Sequence, residues 1–234
     1  VAMIQCVGAR EEKPPRAYCS RICCMVAVKN AMLIKEWYPD SEVYIIYQDM
    51  QTYGKEYEEH HRKAREAGIK FINYTKENPP EVKPLTDNRL KVTVFHALLG
   101  EKRELDCDLV VLSTPLVQQE TAKELSKILK VPLGQDEFFL EAHVKLRPVD
   151  FATEGIYVCG TAHGPKDIAE SISQAYAVSS RAANPMANRK VRTEAITAVV
   201  DRERCVGCRM CEKLCPFGAH RIEEGRSTVI EALC

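Results

Sequence analysis

The sequence predicts an α/β fold followed by a small α+β cysteine-rich module. Apolar runs of strand length alternate with amphipathic helical stretches over residues 1–113, with prolines and glycines between them. Nine of the eleven cysteines fall in two tight groups, at 6–24 and 205–234. Strand, loop, helix, strand at the start is the opening of a parallel βαβ unit.

VAMIQC (1–6) reads as a buried strand, CSRICCMVAVKNAMLIKEW (19–37) as a helix with long apolar faces, and EVYIIY (42–47) as the second strand. KEYEEHHRKAREAG (55–68) is the next helix, stopped by Gly68, with His60 and His61 on a solvated charged face; IKFINY follows as a strand. NPPEVKP (78–84) reads as a loop by its prolines, and LKVTVFHALL and DLVVLST as strands completing the same sheet. Over 114–150 the pattern is mixed, with a short helix at QETAKELSKILK. GIYVCGTAHGPKDIAESISQAYAVSSRAA (155–183) reads as a strand, a glycine-bearing turn and a helix with Pro165 at its first position.

The expected domains are 1–113, an α/β unit; 114–185, a second α/β part; a polar linker at 186–195, overlapping NPMANRKVR (184–192); and a small module at 196–234. A chain of 234 residues that starts at Val1 and stops on Cys234 is expected to be part of something longer.

Lys plus Arg (33) balance Asp plus Glu (33), so no global field draws the protein to nucleic acid or an anionic surface. No apolar run approaches the roughly 20 residues that span a bilayer, and no signal sequence is present; the protein reads as soluble and cytoplasmic. The clustered thiols favour metal over disulfides. Cys107 and Cys159 stand in apolar strand-like contexts and read as buried, inert thiols. His96 and His143 carry no chemical assignment.

A dinucleotide-binding βαβ unit needs G-x-G-x-x-G after its first strand, because backbone must approach the pyrophosphate. Here only Gly8 is present, and the loop instead carries REEKPPR and then Cys19, Cys23 and Cys24. On a helix Cys19 and Cys23 share a face, with Cys24 about 100° away. With Cys6 at the strand end, four thiolates could converge on one centre, either zinc or an iron–sulfur cluster.

CVGCRMCEKLCP (205–216) is the most specific signal: it matches the C-x2-C-x2-C-x3-C-P run of bacterial ferredoxins. Cys205, Cys208 and Cys211 would hold one cube and Cys215 would reach to a second. Cys234, in EALC, looks like the start of the second motif that each cube needs.

Lys29 has Ile22, Met25, Val26, Met32 and Leu33 as helical neighbours, which places it inside an apolar stripe. Its head either snorkels to water or pairs with Glu36, or it faces a cofactor whose reduced form is anionic.

CVGAR…YCSRICC…VKNA, TYGKEYEE, HVKLRPVDFATEGIYVCG, HGPKDI and the terminal cysteine module together resemble the A subunit of heterodisulfide reductase over essentially the whole chain. The resemblance implies a thioredoxin-reductase-like, Rossmann-like core, with 1–113 as its nicotinamide-domain counterpart and 114–185 as the C-terminal part of an FAD domain. It implies FAD and [4Fe–4S] clusters as cofactors and electron relay between them, with bifurcation in some members. Cys6, Cys19, Cys23 and Cys24 would bind a [4Fe–4S] cluster, and Lys29 would lie near the flavin N5. Gly160, Thr161, Ala162, His163, Gly164, Pro165, Lys166, Asp167 and Ile168 resemble an FAD-contacting segment whose helix N-terminus would stabilise negative charge on the flavin. The implied partners are heterodisulfide-reducing subunits, a hydrogenase-type or formate-dehydrogenase-type donor, and ferredoxin. No G-x-G occurs here, so the ADP half of FAD would rest on an upstream segment or another chain. Two other readings stay open: a flavin-free iron–sulfur adaptor, and, disfavoured by the missing glycines, a pyridine-nucleotide oxidoreductase.

Overall fold

The computed structural model describes residues 1–188 and 196–234. It divides into two compact units, 1–179 and 180–234. The first takes in the expected 1–113 part and most of 114–185.

The strands β1 (Ala2–Ile4), β2 (Tyr44–Tyr47) and β3 (Lys70–Asn73) pair in parallel. The helices α1 (Cys23–Trp37) and α2 (Tyr57–Glu66) make the two crossovers. All three residues of β1 are buried, as a central strand covered on both faces requires. Ala27, Val28 and Ala31 of α1 pack with Met3, Val43 and Ile45 on one face of the sheet; Ile4, Ile46 and Ile72 face the other way.

The chain then departs from the single sheet expected of it. β4 (Glu81–Pro84), β5 (Leu90–His96) and β6 (Glu101–Cys107) form a separate antiparallel sheet. The stretch 78–84 is therefore not all loop: β4 is an edge strand, where Pro84 removes no inward ladder bond. β5 does not complete the parallel sheet, because Val92 and Val94 instead pack from the side against Ile4, Ile46 and Ile72. β7 (Val110–Leu112) returns to pair in parallel with β1, giving the order β3-β2-β1-β7.

The next helix, α3 (Ala122–Leu129), falls where the sequence places it. Ala122 joins Val131, Phe139, Phe151 and Val158 in a third core. GIYVCG is not a strand but an isolated Asp150–Tyr157 bridge followed by one 3-10 turn, Gly160–Ala162. α4 (Ile168–Asn188) contains Pro185, so the expected linker is helical as far as Asn188; its remainder, 189–195, lies outside the described residues.

Within 180–234, a short helix α5 (Met210–Leu214) packs on the hairpin β8 (His220–Glu223) and β9 (Arg226–Val229), which turns at Glu224 and Gly225. Among the described residues no helix is long and apolar enough to cross a membrane.

Candidate metal centres

Between β1 and β7 the sheet order reverses, and a crevice opens at the carboxyl ends of parallel strands at such a point. The cysteine loop fills this position. β1 runs into Cys6, and β7 runs into Ser113, whose carbonyl accepts the Val7 N–H at 3.2 Å. Cys6 has φ 63°, a left-handed backbone that turns the chain sharply off the strand end.

The loop's return is fixed by polar contacts to the segment after β7. Tyr18 donates its hydroxyl to the Leu116 carbonyl at 2.6 Å, and the Leu116 N–H donates to the buried Ser20 hydroxyl at 3.0 Å. Tyr18 also meets Phe138 edge to face, 5.4 Å between centroids.

Helix α1 starts at Cys23, four residues later than the periodicity predicts. Arg21 sits at φ 64°, and a right-handed helix cannot propagate through that conformation. Cys19 and Cys23 are therefore not two positions on one helical face. Cys19 lies in the loop and accepts the Arg21 N–H at 3.3 Å, while Cys23 and Cys24 occupy the first turn.

The four thiols still share one neighbourhood: Cys6 interacts electrostatically with Cys19 and Cys23, and Cys24 with Cys23 and Cys6. Burial pushes the Cys6 thiol up, opposed by the Arg10 guanidinium. The hydrogen bond from Cys24, together with backbone N–H groups at the helix start, lowers Cys23 to about 7. Its partner Cys24 is pushed up by that same bond and by burial.

Among the described residues no three His, Cys, Asp or Glu side chains are drawn together tightly enough to hold a single metal ion. Zn–S bonds of about 2.3 Å would bring ligand sulfurs within about 4 Å of one another. A four-iron cube, with its irons at separate corners, takes four thiolates spaced further apart, and an all-thiol donor set suits it. The all-thiol donor set of Cys6, Cys19, Cys23 and Cys24 is one that a four-iron cube can take.

The second sequence-predicted segment lies beside this loop. The Arg21 guanidinium ion-pairs with Glu170, donates to the Pro165 carbonyl at 3.4 Å, and stacks 4.9 Å from the Tyr53 ring centroid. Arg21, Tyr53 and Glu170 were not among the predicted site residues. The D-x-x-E spacing of Asp167 and Glu170 is a capping box that the sequence did offer: the Glu170 N–H donates to Asp167 Oδ1 at 2.7 Å, and the Asp167 N–H to Glu170 Oε2 at 3.1 Å. It starts α4 at Ile168, so Pro165 is not the first helical residue.

His163 is held between Glu141 (2.7 Å) and Gln174 (2.8 Å), and Gln174 Oε1 also accepts the Gly160 N–H. Gly160, at φ 63°, is in the left-handed region. The Ala162 carbonyl accepts from Gln118 and from the Phe139 N–H, and Tyr57 donates to Asp167 at 3.0 Å. Thr161 is exposed, as is Ile168, while Gly164 and Pro165 are buried. Burial, aided by Arg21, lowers the Lys166 ammonium.

Lys29 is not inside the apolar face. The buried face of α1 is Cys24, Ala27, Val28 and Ala31; Lys29 is exposed, in a groove of about 540 Å³ shared with Met32, Leu33, Glu36, Pro39 and His60. His61, expected in solvent, packs edge-on to Phe71 at 4.7 Å. Cys107 is buried as expected; Cys159 is half-buried. His143 Nδ1 accepts the Lys145 and Leu146 N–H groups, and His96 ends β5.

In the terminal unit the backbone itself addresses the sulfurs. The Ser227 N–H donates to Cys205 at 3.4 Å and, with the Gly207 N–H, lowers that thiol; Cys211 donates to the Ser227 hydroxyl at 3.2 Å. The Ala219 N–H reaches Cys215 at 3.5 Å and the Ala198 N–H reaches Cys234 at 3.2 Å. Cys208 is exposed. Gly207 has φ 66°, and a Cβ there would stand 2.1 Å from the Gly225 carbonyl oxygen, so this turn of the C-x2-C accepts only glycine.

Residues 197–220 match the family model of a 4Fe-4S binding domain, which spans Cys205, Cys208, Cys211 and Cys215. The A subunit of the H(2):CoB-CoM heterodisulfide,ferredoxin reductase of Methanothermobacter thermautotrophicus is 46% identical over 230 residues, 98% of this chain and 34% of that protein. The iron-sulfur A subunit of the CoB–CoM heterodisulfide reductase of Methanocaldococcus jannaschii is 46% identical over 223 residues, 94% of this chain and 33% of that protein. The chain spans about a third of the length of the curated relatives it matches. Among solved structures, T. acidophilum thioredoxin reductase aligns with a TM-score of 0.45 at 15% identity, over 80% of this chain and 53% of that one. Along almost all of its length, then, this chain is similar to one stretch of the A subunit of heterodisulfide reductase, and it carries a 4Fe-4S binding module.

Proposed function

We propose that the chain is an electron-relaying part of a heterodisulfide-reductase-type oxidoreductase, carrying FAD and [4Fe–4S] clusters. The observation that carries this is the gathering of Cys6, Cys19, Cys23 and Cys24 where the sheet order reverses, with Arg21 tying their loop to Pro165 and Glu170. Those four thiols would hold one cube. Cys205, Cys208, Cys211, Cys215 and Cys234 would serve two more, with ligands supplied by further sequence.

FAD, when bound, exchanges electrons singly or in pairs, which joins a two-electron couple to one-electron clusters. The segment from Gly160 to Ile168 would position it, with Lys166 and Arg21 as the nearby cations, and an upstream segment or another chain would bind its ADP half. A flavin role for Lys29 belongs to the same reading and requires that segment or chain to cover its groove. Heterodisulfide-reducing subunits, a hydrogenase-type or formate-dehydrogenase-type donor and ferredoxin are the partners in keeping with the relatives' names. The setting is cytoplasmic, and electron bifurcation is the fullest form of the activity.

One observation favours a second reading, a flavin-free iron–sulfur adaptor. The capping box already occupies N–H groups at the start of α4, and its two carboxylates take up the place where a helix N-terminus would otherwise favour an anionic flavin.

Iron, acid-labile sulfide, zinc and FAD should be measured on the anaerobic complex with wild-type chain and with Cys23→Ala. The relay reading expects FAD in both and a loss of about one cube of iron and sulfide in the variant. Zinc at the site, or no flavin in the intact complex, would overturn it.

A further inference from the structure

Arg10 brings to the four-cysteine site a guanidinium that does not spend all its donors elsewhere. It sits at φ 58°, four residues past Cys6, in a backbone turn closed by its own N–H to the Tyr18 carbonyl at 3.0 Å. Nη2 is engaged by Asp49, with which it forms an ion pair at 2.5 Å. The guanidinium interacts with the Cys6 thiol, yet its Nη1 is buried and meets no partner of ordinary hydrogen-bond geometry.

Leaving a charged donor buried without a well-formed partner is costly. Such a group points to an acceptor that completes the site. The side chain that it does touch, Cys6, lines with it a cavity of about 610 Å³ that also borders Lys13, Gln48, Tyr74 and Lys76. Sulfur acceptors on a bound cluster would supply what Nη1 lacks. Hydrogen bonds and charges at the sulfurs are also what set a cluster's potential within the broad range open to it.

We propose that Arg10 is a positioning and potential-setting residue for the cluster at Cys6, Cys19, Cys23 and Cys24, held in place by Asp49 and directing its free N–H at the cluster's sulfur on the Cys6 side. This rests on the reading of those four cysteines as cluster ligands. An oxidised cube gains one electron and becomes more negative by one charge, so a neighbouring cation stabilises the reduced form and raises the potential. Asp49 acts in the opposite sense. Its charge lies close to the same site and opposes reduction, while its carboxylate keeps the guanidinium aimed.

The two partners separate this proposal from a merely structural one. If Arg10 only pinned the loop through its ion pair, then Arg10→Gln and Asp49→Asn would break the same contact and move the cluster alike. If Arg10 acts on the cluster, the two variants move it in opposite directions.

The experiment is an anaerobic redox titration of this cluster by electron paramagnetic resonance, in the assembled complex, with iron and sulfide counted first. Arg10→Gln should keep its iron and show an oxidised-to-reduced ratio about tenfold higher at a given potential, a downward shift of about 59 mV for one electron. Asp49→Asn should shift upward. If Arg10→Gln loses its iron, Arg10→Lys is titrated in its place and should shift down by less than tenfold. A cluster present in the parent but unmoved, or moved the same way by both variants, overturns the assignment to Arg10 alone. No cluster at Cys6 in the parent overturns it together with the function proposed above.

Discussion

The two cysteine groups solve one problem by different means. In 205–234 the sulfurs are presented by local sequence: a glycine turn, one helical turn and a hairpin whose N–H groups point at them. In 6–24 the backbone near the thiols does little alone. Cys6 comes off a strand, Cys19 from a loop, Cys23 and Cys24 from a helix start, and the loop is held by Leu116, Pro165, Asp49 and Glu170, all distant in sequence. The first kind of site survives as a motif; the second exists only when the whole α/β unit has folded. A substitution that breaks one should leave the other intact.

The largest expected effect is on the terminal group. Gly207→Ala puts a Cβ against the Gly225 carbonyl oxygen and forces a left-handed residue, a strain of about 1 to 3 kcal/mol before the clash is counted. Iron and sulfide should fall by the share of this module, while the low-temperature signal of the cluster proposed at Cys6, Cys19, Cys23 and Cys24 is retained. A simultaneous loss of both signals would show that the two sites are not independent.

The same contrast explains what could be read in advance. The ferredoxin-type spacing was legible because its geometry is local, and so were α2, α3 and the βαβ opening, where apolar period and length agree. The start of α1 was not, because the conformation of Arg21 is imposed by Pro165, Glu170 and Tyr53 across the fold. Lys29 misled for a related reason: the apolar stripe around it is wider than the face that the sheet covers, and Val26 is itself exposed. The antiparallel sheet was missed because β4 is a short, fully exposed strand with no apolar alternation to betray it. The capping box at Asp167 and Glu170 was missed because Pro165 offered a competing start three residues earlier.

In the metal-free chain the thiols of the first group should also differ in reactivity among themselves. Cys23, lowered to about 7 by the Cys24 hydrogen bond and the helix start, is half thiolate at neutral pH; an ordinary thiol near 8.5 is about 3% thiolate there. Its alkylation by iodoacetamide, followed by mass spectrometry of the peptide, should rise with a midpoint near pH 7. At that pH it should run about threefold faster than an ordinary thiol, since nucleophilicity falls along with pKa. Cys24, raised and buried, should stay unmodified throughout. A midpoint for Cys23 at 8.5 or above would remove the electrostatic part of this picture.

Glu170→Ala tests the dependence on distant contacts. It deletes half of the capping box and the partner of Arg21, whose exposure weakens the ion pair, for a combined cost of about 1 to 2 kcal/mol. Urea unfolding of the α/β unit should shift to a lower midpoint, and the Cys6–Cys24 cluster should be lost faster to a chelator. The terminal cluster should be lost at its parent rate; acceleration of both would break the comparison.

The smallest effect isolates one contact. Tyr57 on α2 donates its hydroxyl to Asp167 at the start of α4, so it connects the second crossover helix to the same capping box without touching a cysteine. The bond favours the neutral phenol and pushes its pKa up. Tyr57→Phe keeps the ring and its edge-on contact with Tyr53 and removes only the hydroxyl, which should cost about 0.5 to 1 kcal/mol. The loss should be absent when Asp167→Asn is already present only if the hydroxyl acts through the carboxylate's charge. A double-mutant cycle read by urea midpoint therefore distinguishes an ionic contribution of Asp167 from its capping role, which Asn retains in part. A full-sized effect of Tyr57→Phe in the Asp167→Asn background would mean that the bond does not depend on the carboxylate's charge, because the Asn amide oxygen can still accept it.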